Sequence, residues 1–321
     1  MTVPGFFTPH SQRCVGIDIS AQSIKIVELR RSRGVFTLEG YGIEPLPALC
    51  SEDLTGADPK SVARVLANAL KTANVHAQEA VVAIPDALTI SKTLEVDADL
   101  AGDDLELYVR LEAEQHVPYG LEDMALDFEV QGCSSSHPER VDVLLVVCRQ
   151  ATLGWYRSVL SRAGLRERVI TVQTHGLARA VGVMAAVQAS QAVAVVEFGL
   201  RTTVLNMVCR EQVIYSRELL FGFDGLDDEA FKVAALSHLG RGLELFAASG
   251  VGGVVGSILL CGTTSLPVQL SGWIEGQCGL PTQLANPFAS MTLNPALAPD
   301  TLCCDASMLV TACGLAMRGF D

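Results

Sequence analysis

The rhythm of apolar and polar positions changes several times along the chain, and each change predicts a new element. Cys14 to Ile19 is an apolar run that reaches a carboxylate at its end, followed by a polar turn, Ser20 to Ser23, and a second run, Ile24 to Leu29. This pair reads as a hairpin with polar groups at its tip. Arg30 to Gly34 makes another turn and Val35 to Ile43 a third strand, an antiparallel meander closed by Pro45 and Pro47. Val62, Val65, Leu66, Ala69 and Leu70 then recur at helical spacing behind the start signal Asp58-Pro59, which predicts a helix covering the meander. Strand Ala80 to Ile84 follows.

A different block comes next: strand Thr89 to Val96, helix Leu100 to Gln115, strand Ala125 to Gln131 and strand Arg140 to Cys148. We read it as an inserted subdomain. Helix Gln150 to Ala163, strand Leu165 to Val172 and helix Thr174 to Ala186 return to the first lobe, and Gln188 to Gln191 is a polar joint. The second lobe repeats the opening theme with strands Ala192 to Phe198, Thr203 to Cys209 and Gln212 to Glu218, then a long helix, Leu226 to Ala248. Strand Ser257 to Cys261, helix Leu266 to Cys278, strand Thr282 to Ala285 and a last helix, Asp305 to Arg318, complete the chain. The fold class is α/β with two lobes. The expected divisions are 12–85 and 165–190 for the first lobe, 86–164 for the insert, 191–304 for the second lobe and 305–321 for a closing helix.

Composition narrows the function. With 321 residues, 49% hydrophobic and 18% charged, the chain is long enough for two cores. A net charge of −13, with no Lys/Arg-rich stripe, excludes a phosphate backbone as the expected partner. The longest apolar runs, Val143 to Cys148 and Ala192 to Val196, are strand-length, so no membrane span is expected. Met1 to His10 lacks a basic start followed by an apolar stretch, so no secretory signal is expected either. The ten cysteines lie mostly in apolar runs without a C-x-x-C pair, which suits reduced, buried thiols. No G-x-S-x-G elbow or P-loop occurs, and His116, His175 and His238 have no Ser or Cys partner by spacing. Asp97, Asp99, Asp103, Asp104 and Glu106 gather at a helix start, where the dipole favours negative charge, so they read as capping.

Val15-Gly16-Ile17-Asp18-Ile19-Ser20 and Ala194-Val195-Val196-Glu197-Phe198-Gly199 follow one plan: apolar strand, acidic residue, tight polar turn, second strand. Two such hairpins facing each other across a cleft could present amides and hydroxyls to the phosphates of a nucleotide. In that arrangement Asp18 and Glu197 hold Mg²⁺ through water. Ser20 and Ser23 contact phosphate, Lys25 neutralises charge, and Gly199, Thr202 and Thr203 form the opposing clamp. Gly262-Thr263, after a strand and before a helix, could approach adenosine or ribose. The alternative is conformational: serine and aspartate satisfy turn backbone in many hairpins that bind nothing. The glycines at 250, 252, 253 and 256 follow a helix and precede a strand, the reverse of a dinucleotide fingerprint.

Gly16-Ile17-Asp18-Ile19-Ser20, Ile24-Lys25 and Tyr41-Gly42-Ile43-Glu44-Pro45-Leu46-Pro47 resemble the PilM family of type IV pilus assembly proteins. So do Glu112-Ala113-Glu114-Gln115-His116-Val117-Pro118-Tyr119, Leu126-Asp127-Phe128-Glu129-Val130-Gln131-Gly132, Ile214-Tyr215-Ser216-Arg217-Glu218 and Ala285-Asn286-Pro287-Phe288-Ala289. The resemblance covers nearly the whole chain. It implies a two-lobed actin-like (ribonuclease H-like) ATPase fold related to FtsA, cytoplasmic and peripheral at the inner membrane through a partner. It also implies a groove between first lobe and insert that holds the N-terminal cytoplasmic tail of PilN, and through PilN an indirect link to PilO, PilP and the pilus motor ATPases.

The sequence departs from the family pattern at Glu197-Phe198-Gly199, where the family has aspartate and a smaller residue. It also departs between Asp227 and Phe246, where relatives carry a longer segment covering adenosine. A shortened second lobe is therefore expected, with partner binding kept and ATP and Mg²⁺ binding weakened or lost. The competing functions are an active ATPase or sugar-kinase-like enzyme, for which no general base can be named, and an FtsA-like filament former. The latter would need an amphipathic tail, whereas this sequence ends Ala316-Met317-Arg318-Gly319-Phe320-Asp321 directly after a core helix.

Overall fold

A computed structural model describes residues 12–46, 54–117, 120–134, 137, 139–184, 191–251, 253–262, 266 and 269–321. Alternate side chains of a strand face opposite sides of its sheet, and in β1 (Gln12–Ile19) both sets are buried. Val15, Ile17 and Ile19 join one core, and Cys14 joins another. A strand apolar on both faces belongs inside a sheet. Here β1 pairs antiparallel with β2 (Ser23–Ser32), which pairs with β3 (Val35–Pro45), the expected meander. Asp58 caps α1 (Pro59–Thr72) by accepting from the Lys60 amide at 3.1 Å. The α1 face of Val62, Leu66, Ala69 and Leu70 then closes over one side of the sheet. β4 (Glu79–Ile84) returns parallel to β1 on its other side.

β5 (Thr89–Asp97), α2 (Gly102–His116), β6 (Met124–Cys133) and β7 (Arg140–Arg149) form the predicted strand-helix-strand-strand insert. Its three strands are antiparallel in the order β5-β7-β6. Leu94, Val96, Val143, Leu145 and Val147 pack on Leu105, Val109 and Ala113 of α2. α2 carries Asp103 and Asp104 in its first turn, but its N-cap is Ala101, which makes no side-chain cap. These carboxylates therefore act through the helix dipole alone.

α3 (Gln150–Arg162) corrects the expected boundary of the insert. Its Trp155, Tyr156, Val159 and Leu160 share the core of Val15 and Ile17, and the Trp155 indole donates to the Ala57 carbonyl at 2.8 Å. The insert ends at β7 rather than at residue 164. β8 (Arg166–Val172) adds parallel to β4, and α4 (Gln173–Met184) follows; residues 185–190, part of the expected joint, lie outside the described residues.

The second lobe repeats this construction. β9 (Gln191–Phe198), β10 (Thr203–Cys209) and β11 (Gln212–Leu219) form a meander, α5 (Asp228–Ala248) covers it, and β12 (Val254–Gly262) returns parallel to β9. α6 (Leu270–Cys278) leads to β13 (Thr282–Leu284), parallel to β12. The order β11-β10-β9-β12-β13 matches β3-β2-β1-β4-β8 strand for strand.

Two expectations near the C-terminal end are corrected. β14 (Thr292–Leu293) pairs with β3, so the chain has left the second sheet well before residue 304. The single helix expected over 305–318 is instead α7 (Pro299–Asp305), a short 3₁₀ turn and α8 (Val310–Arg318), bent by 87°. The bend lets α8 lie across β1, β2 and β4, while α4, which follows the first sheet, packs Leu177, Ala178 and Val181 on β9, β10 and β12. The two helices cross at Gly176 and Gly314, where a Cβ on Gly314 would overlap the Gly176 carbonyl oxygen. Gly16 is equally enclosed, beneath Ala312 and Ala316.

Among the described residues no single helix is long and apolar enough to cross a membrane. Cys14, Cys148, Cys261 and Cys313 are buried as expected, whereas Cys133, Cys303 and Cys304 are exposed. Burial pushes the Cys14 thiol up to about 12.

Adding a methyl group at the helix crossing should be costly because backbone cannot yield. Gly314→Ala is expected to destabilise by about 3 kcal/mol or more. Gly276→Ala on α6, with open space around it, should stabilise by about 0.5–1 kcal/mol. Chemical denaturation of the two variants beside wild type checks both signs.

Candidate functional site

The repeated hairpins do meet across a cleft between the lobes. Asp18 sits at the end of β1 directly opposite Lys25 on β2, whose Nζ lies 3.5 Å from Asp18 Oδ2. Gln173, the first residue of α4, donates from Nε2 to the other carboxylate oxygen at 2.9 Å. Glu197 occupies the matching end of β9, opposite Val204. Asp86, just after β4, accepts from Thr174 Oγ1 at 2.8 Å. Sequence reasoning missed Asp86 and Gln173, although Asp86 follows an apolar strand much as Asp18 and Glu197 end theirs.

These charges do not balance. Burial works against the Lys25 ammonium, yet Asp18 and Glu197 outweigh it and hold its pKa above the usual lysine value. Burial raises Glu197; Lys25 pulls it down, and Asp18 and Asp86 push it up, leaving it above the ordinary carboxylate range. Asp86 is likewise raised by burial, offset only in part by its hydrogen bonds. One ammonium thus faces three carboxylates.

The other expected phosphate contacts are already engaged within the protein. The turn amides of Gln22 and Ser23 donate to Ser20 Oγ, and the Ser20 hydroxyl donates to the Ser23 carbonyl at 3.1 Å. Ser23 contributes a hydroxyl 3.5 Å from that of Ser20. The Gly199 amide is donated to the Thr202 carbonyl at 3.0 Å. The fully buried Thr203 hydroxyl is donated to the Phe221 carbonyl at 2.9 Å. Gly262 has φ +130° and a Cβ there would strike the Phe198 carbonyl, so it is glycine for packing reasons. Thr263 lies outside the described residues.

One cavity between the lobes, of about 150 Å³, is lined by Asp86, Gln173, Thr174, Glu197, Asn206 and Thr311 among others, and not by Asp18, Ser20 or Lys25. No group of three or more His, Cys, Asp or Glu side chains gathers as a metal site among the described residues.

A larger concavity lies between the insert and the first lobe. It consists of adjoining cavities of about 470 and 390 Å³ that share Glu129, Leu144, Thr171, His175 and Arg318. One wall is the face of the insert sheet turned away from α2, with Ser91, Thr93, Leu144 and Val146. The other is β8 and the start of α4. β8 is an edge strand, hydrogen-bonded only to β4 among the described residues. The floor carries His175, whose Nδ1 is 3.0 Å from Thr171 Oγ1 and whose pKa burial depresses. Charged groups at the rim are mostly paired, Arg157 with Glu167 at 2.9 Å and Arg318 with Glu129 at 3.6 Å. Gln212, on the second lobe, reaches Gln131 of the insert at 2.9 Å and closes the far end. Pro118 and Tyr119, quoted above from the sequence, fall outside the described residues.

The chain matches the family described as type IV pilus assembly protein PilM over residues 16–233 and 229–320. It is similar to the solved structure of a PilM-PilN type IV pilus biogenesis complex at 22% identity and a TM-score of 0.77, covering 96% of this chain and 98% of that one. It is also similar to the ethanolamine utilization protein EutJ from Carboxydothermus hydrogenoformans, at 12% identity and a TM-score of 0.50, covering 95% and 89%. These likenesses show the fold, which is the two-lobed actin-like one.

Because Glu197 keeps its proton longer when folded, its favourable contribution exists at low pH and is lost as pH rises through its raised value. Glu197→Gln in chelator-containing buffer is therefore expected to stabilise near pH 7 by on the order of 1 kcal/mol, with no gain around pH 4. Thermal unfolding of both proteins across that range checks it.

Proposed function

The chain belongs to the PilM family of type IV pilus assembly proteins, and from that premise we propose that it is a cytoplasmic adaptor that binds an extended N-terminal tail of a PilN partner. The observation that carries this reading is the groove beside β8. An edge strand offers a row of unpaired amides and carbonyls, and an extended peptide laid against it gains main-chain hydrogen bonds while its alternate side chains enter flanking pockets. The groove supplies such pockets on the Leu144 and Val146 side. The solved relative of the same fold is described as a complex with PilN. In this reading PilN places the protein at the inner membrane and links it to PilO, PilP and the motor ATPases.

We extend the reading to the cleft: ATP and Mg²⁺ binding at Asp18, Ser20, Ser23, Lys25, Glu197, Gly199, Thr202, Thr203, Gly262 and Thr263 is weakened or lost. Two features support this: the carboxylates outnumber the single ammonium, and the turn amides of Gln22 and Ser23 are already used. The two stretches of family match meet at 229–233, in the first turns of α5, where the sequence suggests that a covering segment is missing. The Gln173–Asp18 bond favours a second reading, in which the cleft still answers a nucleotide.

A fluorescent peptide of the partner's tail should bind saturably, with an affinity unchanged by Mg²⁺-ATP. Val146→Trp, which fills the groove, should weaken binding by at least about tenfold without lowering the unfolding temperature. Anisotropy titration decides it: no binding to folded wild type removes the adaptor reading, and ATP-dependent affinity favours the second.

A further inference from the structure

A helix on the surface of a lobe normally turns an apolar stripe toward the core and polar residues away from it. α5 breaks that pattern. Phe231, Ala235, Leu239 and Phe246 join the second-lobe core, yet between Val233 and Ala248 the only Asp, Glu, Lys or Arg residues are Arg241 and Glu244. The side facing away from the core consists of Val233, Ser237, Gly240, Glu244 and Ala247, at helical spacings of four and three. Val233 is 65% exposed, and Val251, just past the helix, is 51% exposed. Gly240 has open space where a Cβ would stand, so nothing within the chain requires glycine there, although glycine weakens a helix interior. The face begins where the two stretches of family match meet, at 229–233. None of its residues lines the groove or the cleft cavity.

Charge selects the occupant. The chain carries a net charge of −13, so two copies repel each other over most of their surfaces. This face instead holds one exposed cation and one exposed anion, Arg241 and Glu244. They stand three residues apart on the helix, yet neither forms an ion pair with any described residue. Two copies of α5 set antiparallel about a twofold axis near Gly242 bring Val233 of one opposite Val251 of the other, Ser237 opposite Ala247, and Gly240 opposite Glu244. Arg241 then stands beside the opposing Glu244, and symmetry repeats the contact. A twofold interface must be complementary to itself, and this face is so in charge and in apolar contact within one register. The absent side chain of Gly240 lets the two helices approach and leaves room for the opposing carboxylate.

We propose that the outer face of α5 binds a second copy of this chain, forming a twofold dimer held by reciprocal Arg241–Glu244 ion pairs across Gly240. Because the face lies outside the groove beside β8, one dimer presents two such grooves. The pairing does not rest on the adaptor reading.

Sedimentation equilibrium over a range of protein concentrations tests it on wild type, Arg241→Glu, Glu244→Arg and an equimolar mixture of the two variants. Wild type is expected to dimerise reversibly, and more weakly as salt is raised. Each single reversal sets like charges against each other at both contacts and should weaken the dimer at least about tenfold. The mixture should recover wild-type affinity, because a dimer of one variant with the other again joins opposite charges at both contacts. Circular dichroism confirms that each variant is folded. The proposal is overturned if wild type stays monomeric at every concentration, which would leave the face to a different partner. It is equally overturned if either reversal dimerises as tightly as wild type, or if the mixture associates no better than its components.

Discussion

Everything in this molecule hangs on the crossing of α4 and α8. α4 follows β8 of the first sheet and packs on β9, β10 and β12 of the second, while α8 packs on β1, β2 and β4 of the first. They can do so together only because Gly176 and Gly314 let the two backbones touch, and because Gly16 removes a side chain from the strand beneath α8. Close-packed interiors transmit displacement rather than absorb it. The relative position of the two sheets is therefore set by main-chain contact, which no rotamer change can relax. Both candidate sites inherit their geometry from this crossing. Gln173 and Thr174 at the start of α4 edge the cleft, and His175 one residue further on faces the groove.

That constraint separates the two sites in character. The groove is roomy, bounded on one side by an unpaired strand edge and on the other by a sheet face that α2 does not cover, and its charges are largely neutralised in pairs. The cleft uses the Gln22 and Ser23 amides within their own turn and sets three carboxylates around one lysine.

Much of the fold was legible because period and punctuation agreed. Asp58-Pro59 marked the start of α1, the alternation through Thr89 to Val96 marked β5, and the paired hairpins at Asp18 and Glu197 announced a duplication that the structure extends to five strands in each sheet. What escaped the sequence was long-range. Val310 to Arg318 is apolar enough to continue the helix before it, yet the two meet at 87°, with α8 packed on β1, β2 and β4. β14 is two residues long and exists because β3 presents an edge to it. At the cleft, Asp18 and Glu197 could be named from strand-end position. Gln173 and Asn206 could not, since an amide side chain in a helix or strand carries no local signal of what it will face. Ser20 shows the converse: its hydroxyl looked available and instead stabilises its own turn.

Native-state hydrogen exchange tests the central claim most directly, because it ranks the stability of each element within the folded protein. If the crossing is the constraint on which the rest depends, the amides of α4, α8 and β1 exchange only through global unfolding and are among the slowest in the chain. They also keep that protection when Mg²⁺-ATP is added. Exchange of α4 or α8 by local opening, faster than that of the flanking strands β2 and β10, would contradict the account and leave the lobes free to move.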